Sequence, residues 1–220
     1  MNNFIPTEKT KVNRLPKRGF YDRETIYSIL DEGIISHVSF LIKGKPFVIP
    51  TAYVRVDDYI YIHGAKSNRM INAINEGSEA CIAVTLLDGY VLARSAFHHS
   101  MNYRSVVMFG KGKIVEDYEE KMKALKAFTE HVVKGRWDDV RKPDKKEMNT
   151  TRVLKFSIEE ASAKVRTGPP VDDKEDYDMN VWAGVLPVKT MFGAPIRDEL
   201  LKEDVFVPDY LTNYISSKNK

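Results

Sequence analysis

Strand-like runs joined by very short turns constrain this chain more than any other feature. Ile35 to Ile42 reads as a strand, Lys43-Gly44-Lys45 as a turn, and Pro46 to Val54 as the partner strand. Asp57-Asp58 turns the chain again into Tyr59 to Ile62. Further on, the mostly apolar Ala80 to Leu87 reads as a strand buried on both faces, Asp88-Gly89 as a turn, and Tyr90 to Ala96 as the next strand. Tyr103 to Val115 is long and β-rich, with Gly110 and Gly112 marking bulges or close approaches. Arg152 to Ile158 and Ala161 to Arg166 resume strand character. Roughly six or seven strands with few helices argue a mainly β fold, a closed antiparallel barrel with a few flanking helices.

The helical signals are few. Asp22 is placed to cap a short helix through Leu30, with Gly33 as its stop. Tyr118, Met122, Leu125, Phe128 and Val132 recur at helical spacing within Asp117 to Val133, and the charged residues 134–150 read as a loop. Residues 1–19 are polar and basic, with Pro6 and Pro16, and read as an N-terminal arm. The barrel domain is expected over residues 20–188, followed by a C-terminal extension over 189–220.

Composition excludes several classes. Hydrophobic residues make 43% and charged residues 30% of the chain, the profile of a soluble globular protein, so a membrane location is not expected. No run approaches the length of a membrane span and no apolar signal core opens the chain, which makes a cytoplasmic protein the default. A net charge of +3 is too small to argue for nucleic acid by itself, and the arm's Lys9, Lys11, Arg14, Lys17 and Arg18 are more often simply a solvated tail, so no nucleic-acid partner is expected. Cys81, the one cysteine, excludes an internal disulfide and lies in the apolar run 80–84 as a core filler.

Three stretches carry chemistry. In the first, Tyr59 to Ile62 leads through the turn His63-Gly64-Ala65 into a helix that Ser67 is placed to cap and that ends near Gly77. Lys66 and Arg69 flank its start, so the stretch is either a phosphate cradle or a solvated basic turn. In the second, Pro50 stands inside the strand of Val48, Ile49 and Thr51. Proline cannot donate to a ladder, so this strand is either at an edge or opened to expose backbone to a planar ligand. In the third, Asn102, Tyr103 and Ser105 offer amide, phenol and hydroxyl groups to a heterocycle or its phosphate, or simply face water. The adjacent His98-His99 has no Cys, Asp or Glu at ligand spacing, so no metal site is expected. No dinucleotide, Walker A, nucleophile-elbow or zincin motif occurs.

Taken in order, "PFVIPTAY", "YIYIHGAKSNRM", "FHHSMNYRSVVMFGKG", "ASAKVRTGPP" and "VWAGVLPV" resemble the pyridoxamine-phosphate-oxidase-like flavoproteins, within them the branch of the 5-nitroimidazole-resistance proteins. The resemblance spans roughly residues 18–188, and the combined order is far more specific than any one motif. It implies a split β-barrel homodimer with FMN at the subunit interface. Val48, Ile49, Pro50 and Thr51 would line the flavin ring, and Ile62, His63, Lys66, Ser67 and Arg69 would form the strand end and phosphate site. Ser105 matches a polar flavin-binding residue on a later strand, with Asn102 and Tyr103 close by. Trp182, in the apolar run 181–186, either reaches the flavin across the interface or pins the C-terminal segment to the barrel. The arginine-containing, substrate-binding ending of the pyridoxamine-phosphate oxidases is not recognisable, which speaks against vitamin B6 oxidation.

The expected function is an FMN-dependent oxidoreductase acting on a small planar or nitro-aromatic compound, with His63 as a proton relay beside the ring or as a packing residue. The alternatives are a non-catalytic flavin or haem binder for storage or sensing, and a nucleic-acid module using the basic arm.

Overall fold

The computed structural model describes residues 3–219. Its strands are β1 (Gly19–Phe20), β2 (Ile35–Ile42), β3 (Lys45–Ala52), β4 (Val54–Val56), β5 (Tyr59–Ala65), β6 (Glu79–Leu92), β7 (Ser100–Lys111), β8 (Lys113–Ile114), β9 (Thr151–Ser157), β10 (Glu160–Arg166) and β11 (Gly184–Pro187). The α-helices are α1 (Arg23–Glu32), α2 (Arg69–Asn75), α3 (Tyr118–Val132), α4 (Arg136–Asp139), α5 (Lys145–Thr150) and α6 (Asp209–Lys218). Every ladder is antiparallel. One sheet has the order β1-β10-β7-β6-β2-β3, with β11 beside the far end of β6, and the other has the order β4-β5-β9-β8. The two enclose one core, the split β-barrel with flanking helices that the resemblance implies.

Burial explains why the elements sit where they do. Ile60 and Ile62 of β5 face the main core with Ile26, Leu30, Val38, Ile71 and Phe156. Tyr61 faces the other way, into a smaller cluster with Val54, Phe128 and Val153 under α3. β5 is therefore buried on both faces, at about 1.5–3 kcal/mol for each large apolar side chain removed from water. The helix starts are capped by side chains: Asp22 accepts from Thr25 N, Asp117 from Glu120 N, and Asp144 with Glu147 forms a reciprocal capping box.

Several sequence expectations are corrected. The run 46–54 is not one strand: it breaks at Tyr53, whose buried phenol donates to Leu30 O at 2.7 Å and carries the chain from one sheet to the other. Asp88-Gly89 is not a turn but a bulge within the 14-residue β6, because β7 pairs on both sides of it and Arg104 holds the Asp88 carboxylate. A Cβ on Gly89 would come within 3.0 Å of the Leu186 carbonyl oxygen, so glycine admits β11 there. Gly110 is an ordinary ladder residue opposite Ala80. Gly112 is the close approach the sequence predicts: it interrupts the strand where a Cβ would lie 2.7 Å from the Phe156 ring. Residues 134–150 hold α4 and α5, and Asp144 and Glu147 were the legible signal for the second. The N-terminal arm is docked: Phe4 is buried in the main core, and Phe4 N donates to Tyr21 O at 2.8 Å. Between Pro187 and Asp209 the chain has no helix or strand. Among the described residues no helix is long and apolar enough to cross a membrane.

Candidate functional site

β3 is an edge strand. Its pairing with β2 runs unbroken from Ile35↔Ala52 to Ile42↔Lys45, with Pro50 opposite His37. Of the two sequence alternatives the edge is the one observed, since the missing N–H of Pro50 leaves the inner ladder intact. Ile49 and Thr51 are half-buried, while Pro50 is exposed and Val48 keeps 60% of its surface open.

The cradle forms where β5 leaves the barrel. His63, Gly64 and Ala65 are not a turn but the end of β5, paired with Val153, Arg152 and Thr151. The side chain of Ile62 is in the core, which removes it from direct contact with a ligand. The cap of α2 is Asn68 and not Ser67: Asn68 Oδ1 accepts from Met70 N at 2.9 Å and Ile71 N at 3.3 Å. An amide oxygen there satisfies two of the free N–H groups at the helix start, which are then not available to an anion. What remains for a phosphate is side-chain charge. Lys66, Ser67 and Arg69 are exposed, and among the described residues neither cation has a carboxylate within ion-pair distance. Burial, and then the nearby charge of Lys66, hold the Lys121 ammonium below its ordinary pKa, which marks a locally positive field. The Arg69 guanidinium lies 4.9 Å from the centre of the Phe47 ring, joining the cradle to β3.

His63 packs edge-on against Phe128, ring centres 4.4 Å apart. Although the residue keeps contact with solvent, the protein around its ring withholds hydration from the charged form and lowers its pKa. Its imidazole is therefore neutral at neutral pH.

The residues on β7 are elsewhere. Two strands, β6 and β2, lie between β7 and β3. Three inter-strand steps put them about 14 Å apart. Asn102 is buried with both ends of its amide engaged: Nδ2 donates to Gly168 O at 3.1 Å, and Arg166 donates to Oδ1. Ser105 Oγ donates to Lys164 O at 3.2 Å and keeps lone pairs free, and Tyr103 is half-buried. Trp182 does not pin its segment. The ladder of β11 on β6 does that, while Trp182 stays 68% exposed with its ring against Gly184. Within one copy, Arg69 on Phe47 sets the start of α2 against β3, while Asn102, Tyr103 and Ser105 lie on β7, separated from β3 by two strands of the same sheet.

Sequence reasoning missed the junction where β7 begins and β10 ends. Asp172, its carboxylate fully buried, accepts from Arg94 N at 2.9 Å and from Arg94 Nη1 at 3.1 Å. Arg94 Nε, Ser95 Oγ and Arg166 Nε are buried there without a partner. The contacts join residues some seventy positions apart, and no local pattern announces them. Cavities of about 680 Å³, between β2, α2 and β6, and about 740 Å³, between α3 and the C-terminal segment, are lined by none of the sequence-selected residues.

Two antiparallel sheets closed around one core define a split-barrel protein. The sequence matches the pyridoxamine 5'-phosphate oxidase family over residues 22–165, and the chain belongs to that family. The flavocytochrome Anf3 from Azotobacter vinelandii is similar over 96% of this chain and 98% of its own, at 38% identity and a TM-score of 0.90. The FAD and haem binding protein from Mycobacterium smegmatis is similar over 90% of this chain and 97% of its own, at 32% identity and a TM-score of 0.86. A candidate 5-nitroimidazole antibiotic resistance protein from Bacteroides thetaiotaomicron is similar over 67% of this chain and 86% of its own, at 25% identity and a TM-score of 0.57. No curated protein matches the chain.

Proposed function

We propose that the chain is a redox protein that holds a flavin between two copies of itself and carries a haem as a second electron carrier. The observation that supports the shared flavin site is the separation of Asn102, Tyr103 and Ser105 on β7 from the β3 edge by two strands within one copy. A two-fold pair brings β7 and Trp182 of one copy to β3 and the cradle of the other, and covers the unpaired β3 edge. Lys66, Ser67 and Arg69 take the phosphate, and the β3 backbone from Val48 to Thr51 lines the ring together with the backbone of Ile62. Tyr103 and Ser105 of the partner copy bond its polar edge, Asn102 braces the turn behind them, and Trp182 covers it. Neutral His63 is able to accept a proton beside it. When bound, a flavin supplies two-electron acceptance with one-electron release, and a haem iron a one-electron acceptor.

The haem half rests on the full-length likeness to the flavocytochrome, which extends beyond the family's residues 22–165. The resemblance in sequence points to FMN, and the cradle suits the phosphate common to FMN and FAD. We take FAD, because the M. smegmatis relative named for FAD and haem shares 32% identity over 90% of this chain. Reduction of a small planar or nitro-aromatic compound is a second reading, favoured by the B. thetaiotaomicron likeness over 67% of the chain. Oxidation of NADH or NADPH driven by a nitroimidazole tests it.

The main test is the absorption spectrum of the purified protein, chromatography of the flavin released on heating, and light scattering for mass. A dimer releasing FAD and showing a Soret band is expected. A monomer with stoichiometric flavin overturns the shared site, and protein without flavin overturns the whole reading.

A further inference from the structure

The His98-His99 pair, which the flavin site leaves unused, holds an imidazole arranged as an axial haem ligand. We propose that His99 ligates the haem iron through Nε2; this rests on the flavocytochrome reading above.

The tautomer follows from the partner. His99 Nδ1 lies 2.9 Å from the carbonyl oxygen of Ser95, four residues earlier. A carbonyl only accepts, so Nδ1 carries the proton and donates, which leaves the lone pair on Nε2. Anchoring one ring nitrogen on a backbone carbonyl is how proteins orient a ligating imidazole and raise its basicity. The residue is exposed, and among the described residues its Nε2 has no hydrogen-bond partner.

Three of the other histidines are less available. His131 Nε2 donates to Gly33 O at 2.8 Å. His98 Nε2 meets Asp173 Oδ2 at 3.2 Å. The His63 ring packs against Phe128 within the flavin set. His37 is exposed on β2, opposite Pro50, and serves as the control.

The surroundings fit the group. With a single cysteine there is no covalent haem attachment, so axial ligation and apolar contact must hold it. Phe97, two residues before His99, leaves 87% of its surface open, and Met101, two residues after it, is exposed opposite the exposed Tyr90 of β6. The turn that supplies the Ser95 carbonyl also holds Arg94 Nε and Ser95 Oγ, buried polar atoms that have no hydrogen-bond partner among the described residues. One protein ligand completes a five-coordinate haem, so the absence of a cluster of three or more ligating side chains among the described residues is no obstacle.

The test is haemin titration of the flavin-loaded wild type, His99→Ala, His99→Gly and His37→Ala, followed by Soret absorbance and the ferrous carbon monoxide spectrum. Groups behind a ligand alone are typically worth about 10–100-fold in metal affinity, so His99→Ala is expected to bind haem about tenfold more weakly or worse, with an altered Soret band. His37→Ala is expected to match wild type, and added imidazole to restore the ferric spectrum in His99→Gly. Unchanged flavin content shows that the variants are folded. Wild-type haem affinity and spectra in His99→Ala overturn the ligand assignment alone. A wild-type protein that takes up flavin but no haem overturns it together with the flavocytochrome reading.

Discussion

The Arg69 guanidinium rests on the Phe47 ring at 4.9 Å, and this contact brings the first turn of α2 against the open edge strand. A cation held over an aromatic face keeps its N–H fork free at the rim, where an anion can meet it. In the proposed site, the contact would align the phosphate side with the strand that lines the ring.

The cradle should carry the affinity for the flavin phosphate. Hydrogen bonds to charged groups contribute about 1.5–3 kcal/mol each, so replacing Lys66 and Arg69 together by Ala should weaken flavin binding by more than about tenfold. Both side chains are exposed, so thermal stability of the apo protein should change little. Fluorescence titration of apo protein checks this, and wild-type affinity in the double variant would place the phosphate elsewhere.

Trp182 stays open to solvent in one copy while its indole lies against Gly184. Trp182→Phe should be mild, because an aromatic pair contributes about 0.5–1.5 kcal/mol beyond its buried area. Trp182→Ala should weaken flavin binding and brighten the emission of flavin that remains bound. A folded Trp182→Ala dimer with unchanged affinity and emission would remove Trp182 from the site.

Asn68 satisfies two N–H groups at the start of α2. Asn68→Ala should cost about 1 kcal/mol of stability, read from urea unfolding, whereas Ser67→Ala should have no measurable effect. The reverse order would show that the cap lies one residue earlier.

His63 makes stability depend on pH. Its pKa is lowered in the folded protein by burial, so between that value and the ordinary imidazole value of about 6.5 the unfolded chain binds more protons. Its contribution is therefore complete above the unfolded value and is lost as pH falls through the folded one. His63→Gln should flatten the loss of stability on the acid side of neutrality, measured as the urea midpoint across that range. An identical pH profile in the variant would show that His63 carries none of it.

Much of the fold is written locally. Strand-like runs in β2, β5, β7, β9 and β10, the Asp57-Asp58 turn, and the Asp22 and Asp117 caps are each legible because the residue and its consequence lie within a few positions. Lys66, Arg69 and Pro50 were legible as well, since a paired charge or a missing N–H is a property of the residue itself.

What tertiary structure decided lies where distant segments compete for the same backbone. Asp88-Gly89 has the composition of a turn and becomes a bulge because β7 pairs across it and Arg104 takes its carboxylate. Tyr53 ends a strand that its own neighbours would continue, because its hydroxyl reaches Leu30. The placement of β6 and β2 between Ser105 and the β3 edge is likewise invisible in sequence. Spacing along a chain states which residues can share a face, and only the strand order states which faces meet.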